Sequence, residues 1–363
     1  MTGPRPRPSI LGIEPYVAGK ASTPGVERII KLSANENALG ASPAASAAYA
    51  KACAELHLYP DPNASALRQA LGRIHTVDPA RIVFGTGSDE IFSMACISFL
   101  EPGDNMIQPR HGFAAWGIAA RAVGGEVRLA QERDYTVDTD AILAQVDART
   151  RIVFIANPAN PTGTWLPFSE IERLHALLRP DILLVLDEAY VEFARAMLKN
   201  DDALSLASRA GNVLVTRTFS KLYGLAALRI GWGYGAASII DTLNRIRLPF
   251  NTPRPAQAAA LAALFDEGFA EQSVALAEMG RENLAAALAD WGFAPLISAT
   301  NFVTARAPIG VSAAQVEAAL AKHGVLVRGL TTYGLPDFLR VTVGVPSVMG
   351  DFAKALESSL AAQ

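Results

Sequence analysis

Cysteine is scarce: Cys53 and Cys96 are the two in 363 residues. Both lie in apolar, helix-patterned stretches, which argues against a disulfide framework or a cysteine metal site. Reduced core thiols in a cytoplasmic protein are the expectation. Positive charge is not in excess, since 32 Lys and Arg against 35 Asp and Glu leave a formal net charge of -3. The basic footprint of a nucleic-acid binder is therefore missing. No apolar run reaches membrane-spanning length, so neither a membrane nor a nucleic-acid partner is expected. The start, MTGPRPRPSI, lacks the apolar stretch of a secretory signal and reads as a Pro/Arg-rich arm, unstructured to about Leu11.

What is present is ordinary globular material. Half the residues are hydrophobic and 18% are charged, ample for a large core. The length suits two domains, or one with a satellite. From RIVFG (81–85) onward, short apolar runs alternate with helical ones: NMIQP (105–109), EVRLA (126–130), RIVFIAN (151–157), ILLVLD (182–187) and NVLVTRT (212–218). Strands alternating with helices predict an α/β domain with a mostly parallel sheet. After PFNTPRP (249–255) the rhythm changes to a helical region over about 256–290. The shorter strands NFVTAR (301–306), VLVRG (325–329) and FLRVTVG (338–344) follow. We expect an N-terminal arm (1–30), a large domain (31–250) and a small α+β domain (251–363).

Ligands of open α/β sheets sit beyond the carboxyl ends of the strands, so the polar residues that follow each strand matter most. TGSDE (86–90) opens a helix, and the N–H groups of such a start attract anions. Gly85-Thr86-Gly87 begins like a dinucleotide loop, but Glu90 stands where GxGxxG requires its third glycine. A simple capped helix start, with Ser88 or Asp89 as cap, is the plainer alternative. PANPTG offers Asn160 as a donor beyond a tight turn. DEAY places Asp187 at the end of a buried strand, where a carboxylate needs a partner: backbone, an arginine or a cationic ring nitrogen. Tyr190 reaches the same region. Ser220-Lys221 follows the next strand, with Thr218 before it and Arg229 after it. A lysine near another cation in a poorly solvated pocket is partly neutral and can form a Schiff base.

In this order the set describes a site for pyridoxal 5′-phosphate (PLP). Its phosphate needs a helix start, hydroxyls and an arginine. Its ring nitrogen needs a carboxylate, its phenolic oxygen needs donors, and its aldehyde needs a lysine. Lys221 is the expected anchor and Arg229 a phosphate partner.

The chain resembles the fold-type I PLP aminotransferases, and among them the histidinol-phosphate aminotransferase family. The similarity runs from KLSANENALG (31–40) through LYPDP (58–62), TGSDE, ANPANPTG, LDEAY and TFSKLYGLAALRIGW to YGLPDFLRVTVG (333–344). It implies that Lys221 carries the catalytic proton, that Asp187 pairs with the ring nitrogen, and that Asn160 and Tyr190 bond the ring oxygen. Gly87, Ser88, Asp89, Thr218, Ser220 and Arg229 would hold the phosphate. Tyr59 would reach the neighbouring subunit's phosphate in a homodimer. Tyr16, Asn35, Arg328 and Arg340 would contact the substrate. His111 falls where the family carries a tyrosine stacked on the cofactor ring. Ala38, Ala159 and Ala227 replace commoner Pro, Asn and Gly without removing a functional group.

The implied reaction passes an amino group from a donor to a 2-oxo acid, with histidinol phosphate and 2-oxoglutarate as the expected pair in histidine biosynthesis. The alternatives are an aromatic amino-acid aminotransferase, a phospho-amino-acid decarboxylase and a non-catalytic binding protein on the same fold.

Overall fold

The computed structural model describes residues 3–16, 19–194, 197 and 203–361. Seven strands form the central sheet: β1 (Ile82–Gly85), β2 (Asn105–Pro109), β3 (Glu126–Ala130), β4 (Thr150–Ala156), β5 (Leu183–Asp187), β6 (Val213–Thr218) and β7 (Gly231–Gly235). Their order is β1-β7-β6-β5-β4-β2-β3. Six run parallel, and β7 is antiparallel to both neighbours. Apolar clusters cover both faces, with Ile155 and Leu184 on one and Phe154 and Val185 on the other. This is why the β4 and β5 runs are apolar throughout rather than alternating.

The expected parallel α/β sheet is thus present, but β7 escapes the sequence pattern. Its sequence, GWGYG, has weak strand propensity. Glycine is needed at Gly231 because a Cβ there would lie 2.6 Å from the Ser88 nitrogen, where the helix Ser88–Phe99 starts against the strand.

The second unit is a four-stranded antiparallel sheet of β8 (Ala294–Pro295), β9 (Phe302–Arg306), β10 (Arg328–Leu330) and β11 (Leu335–Thr342), in the order β8-β9-β11-β10. Helices Ala313–Lys322 and Pro346–Ala361 cover it around Val316, Leu320, Phe352 and Leu356.

Three expectations need correction. The 249–255 boundary puts the following helix in the small unit. Instead, Arg254–Leu264 packs on Pro43–Ala52, and its Ala256, Ala259 and Ala260 join the large core. The single helical region over 256–290 breaks after Leu264, and Asp266 caps a second helix, Glu267–Asp290, by accepting from the Phe269 nitrogen. VLVRG also divides. Val325–Leu326 pairs in parallel with Ile30–Lys31, whereas Arg328 begins β10.

The arm is ordered earlier than Leu11, with a single helical turn at Pro8–Leu11 and Arg7 donating to the Ala122 carbonyl at 2.6 Å. Of the two cysteines, Cys96 is buried and Cys53 only partly so.

Candidate active site

The carboxyl ends of β1, β4, β5 and β6 open on one cavity of about 270 Å³, whose far wall is the small sheet. Asp187 is the last residue of β5, at the floor. It is buried, and its carboxyl is met by the Ala189 backbone N–H and by a long 3.4 Å contact from the Thr216 hydroxyl. Burial, reinforced by Asp89, pushes its carboxyl up to about 7. Among the described residues no cation forms a salt bridge with it, so the floor is electrostatically incomplete.

Lys221 lies just beyond β6 and is partly buried. Its Nζ donates to the Ala34 carbonyl at 3.2 Å and sits 5.7 Å from the Tyr190 ring centre. Burial, and next the positive charge of Arg340, bring its amine down to about 8. The unusual setting of this lysine therefore has a chemical result: a far larger minority of the amine is neutral near physiological pH than for an ordinary lysine.

The anion end has no competing side-chain cap. Gly87 is the N-cap of Ser88–Phe99, so the capped start on Ser88 or Asp89 does not occur. The first-turn N–H groups face the cavity beside Thr218, Ser220 and Arg229. The Thr218 hydroxyl donates to Ser220 Oγ at 2.9 Å. Arg229 donates to Asp89 at 3.0 Å and to the Ala226 carbonyl at 3.0 Å.

Asn160, Tyr190 and Asn35 line the cavity as well. The two asparagines of the ANPANPTG turn have separate tasks. Asn157 brackets Leu166 through both amide atoms, at 2.8 and 3.1 Å, and is structural. Asn160 accepts from Arg340 Nη1. Asn35 donates to the Tyr190 hydroxyl at 2.8 Å and receives the Thr342 hydroxyl at 3.2 Å. Its side chain is therefore committed to Tyr190, which leaves the phenolic proton free to point elsewhere. Burial holds that phenol up at about 12, so it stays a donor.

Arg328 and Arg340 enter from the small sheet, both buried, with Tyr16 on the arm side. Arg340 Nη2 donates to the Ser33 carbonyl at 2.9 Å, whereas its Nε is buried without a partner. Its guanidinium also faces Phe302 at 5.2 Å. No carboxylate joins Arg340 among the described residues, and a buried guanidinium in that state suits an incoming anion.

Three expected residues, Gly87, Tyr59 and His111, are not part of the cavity wall. Tyr59 is 78% exposed and stacks on Phe250 at 4.5 Å. His111 is buried behind the wall, with Nδ1 2.6 Å from the Tyr333 carbonyl. Phe113 and Tyr333 line the cavity there, and neither was singled out from sequence. The available signals were weak: Phe113 ends PRHGF and Tyr333 opens YGLPDF, both unexceptional as apolar packing.

The profile described as "Aminotransferase class I and II" matches residues 27–356. The chain belongs to that family. It is 52% identical over 342 residues to histidinol-phosphate aminotransferase 1 of Caulobacter vibrioides, covering 94% of this chain and 95% of the relative. It is 48% identical to the histidinol-phosphate aminotransferase of Rhodospirillum rubrum, covering 99% and 98%. The fold matches the crystal structure of histidinol-phosphate aminotransferase from Sinorhizobium meliloti in complex with pyridoxal-5′-phosphate. There the TM-score is 0.91 at 30% identity, with 99% of this chain and 98% of that chain covered.

Proposed function

We propose that this aminotransferase uses PLP to move the amino group of histidinol phosphate to 2-oxoglutarate, giving imidazole-acetol phosphate and glutamate. The observation that carries the reading is the buried Asp187, without a salt bridge among the described residues, in the same cavity as the partly neutral Lys221, with a helix start that has no side-chain cap beside Arg229. A protonated pyridine satisfies Asp187, an aldehyde suits the amine, and a phosphate suits the helix start.

When bound, PLP supplies an electron sink that stabilises negative charge on the substrate Cα. The residues of this chain do the rest. Lys221 Nζ anchors the cofactor, then takes the Cα proton and returns it one atom further on. Asp187 keeps the ring nitrogen protonated. Asn160 and the Tyr190 hydroxyl bond the ring oxygen, and Asn35 holds Tyr190 in place. Ser88, Thr218, Ser220 and Arg229 hold the phosphate with the Gly87 and Asp89 backbone. Arg340 takes the substrate anion, the phosphate of histidinol phosphate and then the carboxylate of glutamate, and Arg328 with Tyr16 adds contacts to the substrate phosphate.

The active unit in this reading is a homodimer, with Tyr59 completing the neighbour's phosphate site. Its support is the exposed apolar group formed by Leu56, Leu58, Tyr59 and Leu248 around the stack on Phe250. Among the described residues no helix is long and apolar enough to cross a membrane, and we place the enzyme in the cytoplasm. The deciding experiment compares kcat/KM for histidinol phosphate with phenylalanine and tyrosine, using 2-oxoglutarate as acceptor. A preference for the aromatic amino acids would replace the histidinol assignment with an aromatic aminotransferase.

A further inference from the structure

We propose that His111 and Glu132 form one proton-holding pair that positions Tyr333, and through it the small-domain wall of the substrate cavity. The proposal rests on the aminotransferase reading above and adds a positioning pair to it.

The chemistry follows from who can donate. His111 Nδ1 lies 2.6 Å from the Tyr333 carbonyl, which can only accept, so Nδ1 carries a proton. In a neutral ring Nε2 is then a bare acceptor. Facing it at 4.0 Å is Glu132 Oε2, buried and without any hydrogen-bond partner. Glu132 Oε1 meanwhile accepts from the His111 backbone N–H at 3.3 Å. Two buried acceptors that close repel one another unless the pair carries one further proton, as imidazolium with carboxylate or imidazole with carboxylic acid.

The surroundings favour keeping that proton near neutral pH. Burial pushes the Glu132 carboxyl up to about 7, although the His111 backbone N–H and, next, the Arg110 charge oppose this. Burial lowers the His111 imidazole, and the bond to Tyr333 opposes that. The other titratable neighbours are Tyr135, its ring centre 6.4 Å from His111, and Tyr333 itself, whose phenol burial holds up at about 12.

The position gives the pair its role. His111 sits just past β2, and Glu132 opens the short hairpin of Glu132–Arg133 and Thr136–Val137. Both elements reach across to the small unit, where Tyr135 packs edge-on against Phe338 at 4.9 Å. Tyr333 belongs to the turn Thr331–Tyr333, which joins the strand of Arg328 to the strand of Arg340. With its proton, the pair fastens the turn between the two arginines to the large domain. Without it, a carboxylate and an imidazole lone pair oppose each other and the turn loosens. Lys221 and Asp187 are untouched, so substrate affinity should respond and the chemical step should not.

The test uses the holoenzyme and E132Q, whose amide can accept from the His111 N–H and donate to Nε2 without a titrating proton. In the parent, KM for histidinol phosphate should rise about tenfold between about pH 7 and 9 while kcat holds within about twofold. In E132Q the KM profile should be flat. Parallel KM profiles in the two proteins would overturn the pair. Nitrogen NMR of the histidine rings gives a second readout that needs no substrate. In the parent, Nδ1 of His111 should stay protonated at neutral pH while Nε2 titrates, and E132Q should move that midpoint by at least about one pH unit. An unprotonated Nδ1 in the parent, or an unmoved midpoint, sinks the proposal even if E132Q proves unstable. If histidinol phosphate is not turned over but another amino donor shows the same KM split, the substrate reading fails and the pair stands.

Discussion

Arg328 and Arg340 occupy directly opposed positions on adjacent antiparallel strands, which puts both guanidinium groups on the same face of the small sheet, toward the cavity. Like charges this close are unfavourable in a buried setting, and the Arg340 pKa is lowered by burial first and by the Arg328 charge as a smaller cause. The arrangement makes sense for a substrate that brings negative charge to both. We expect R328Q to lower kcat/KM for histidinol phosphate by about 10- to 100-fold, while leaving phenylalanine within a few-fold, because charge-assisted hydrogen bonds contribute about 1.5–3 kcal/mol. R340Q should reduce both. Steady-state kinetics with the two donors checks this, and equal losses for R328Q would remove the phosphate role.

Lys31 also lines the cavity, but its Nζ is paired with Glu36 at 2.7 Å, which leaves Lys221 as the amine for the anchor. K221A should lose turnover by on the order of a thousandfold or more, since anchor and proton carrier disappear together. Borohydride reduction of the parent should leave a label on the peptide carrying Lys221. A label on another lysine would contradict the assignment.

Asp187 yields a pH prediction in the cofactor-free protein. Its carboxyl stands at about 7 in the fold against an ordinary 3.8. The fold thus favours the neutral acid, a contribution fully present below the ordinary value and lost as pH rises toward 7. D187N has no such loss. Its melting temperature should therefore gain on the parent as pH climbs from about 4 to about 7, then run parallel. With PLP bound, D187N should instead be slower by on the order of a hundredfold. Thermal melts across pH and turnover measurements test the two halves separately.

Tyr59 and Lys221 should complement across subunits. Neither Y59A nor K221A alone assembles a complete site if Tyr59 serves the neighbour. A mixed dimer assembles one. Co-refolding equal amounts should restore about a quarter of the parental activity, half the dimers being mixed with one good site each. Recovery no greater than the sum of the separate variants would place Tyr59 outside the neighbouring site.

Gly224 holds the lysine loop against the N-terminal segment. Its φ is +66°, and a Cβ would collide with the Gly40 carbonyl and lie 3.0 Å from the Ala41 nitrogen. G224A should destabilise the protein by about 2 kcal/mol or more, through backbone strain and the displaced contact. Denaturant unfolding would show it, and an unchanged midpoint would mean the two segments part readily.

Much of the site was readable because a parallel sheet brings its strand ends to one edge. Asp187, Asn160 and Lys221 each follow an apolar run, so a linear pattern reports a shared location. The glycine-rich β7 was not readable, because its residues are chosen for the helix start packed on them rather than for strand propensity. Nor was the home of Arg254–Leu264, since an alanine-rich face fits either core.

The linear order of residue types thus determined the fold class, the family and most of the groups that line the cavity, for these depend on local pattern and on strand direction. The folded chain alone decided how those groups are supported. Asn35 bonds Tyr190 across 155 positions, and His111 meets Tyr333 across 222. Contacts of that separation leave no periodic trace in a sequence, because each partner is a common residue type whose purpose appears only when the other is beside it.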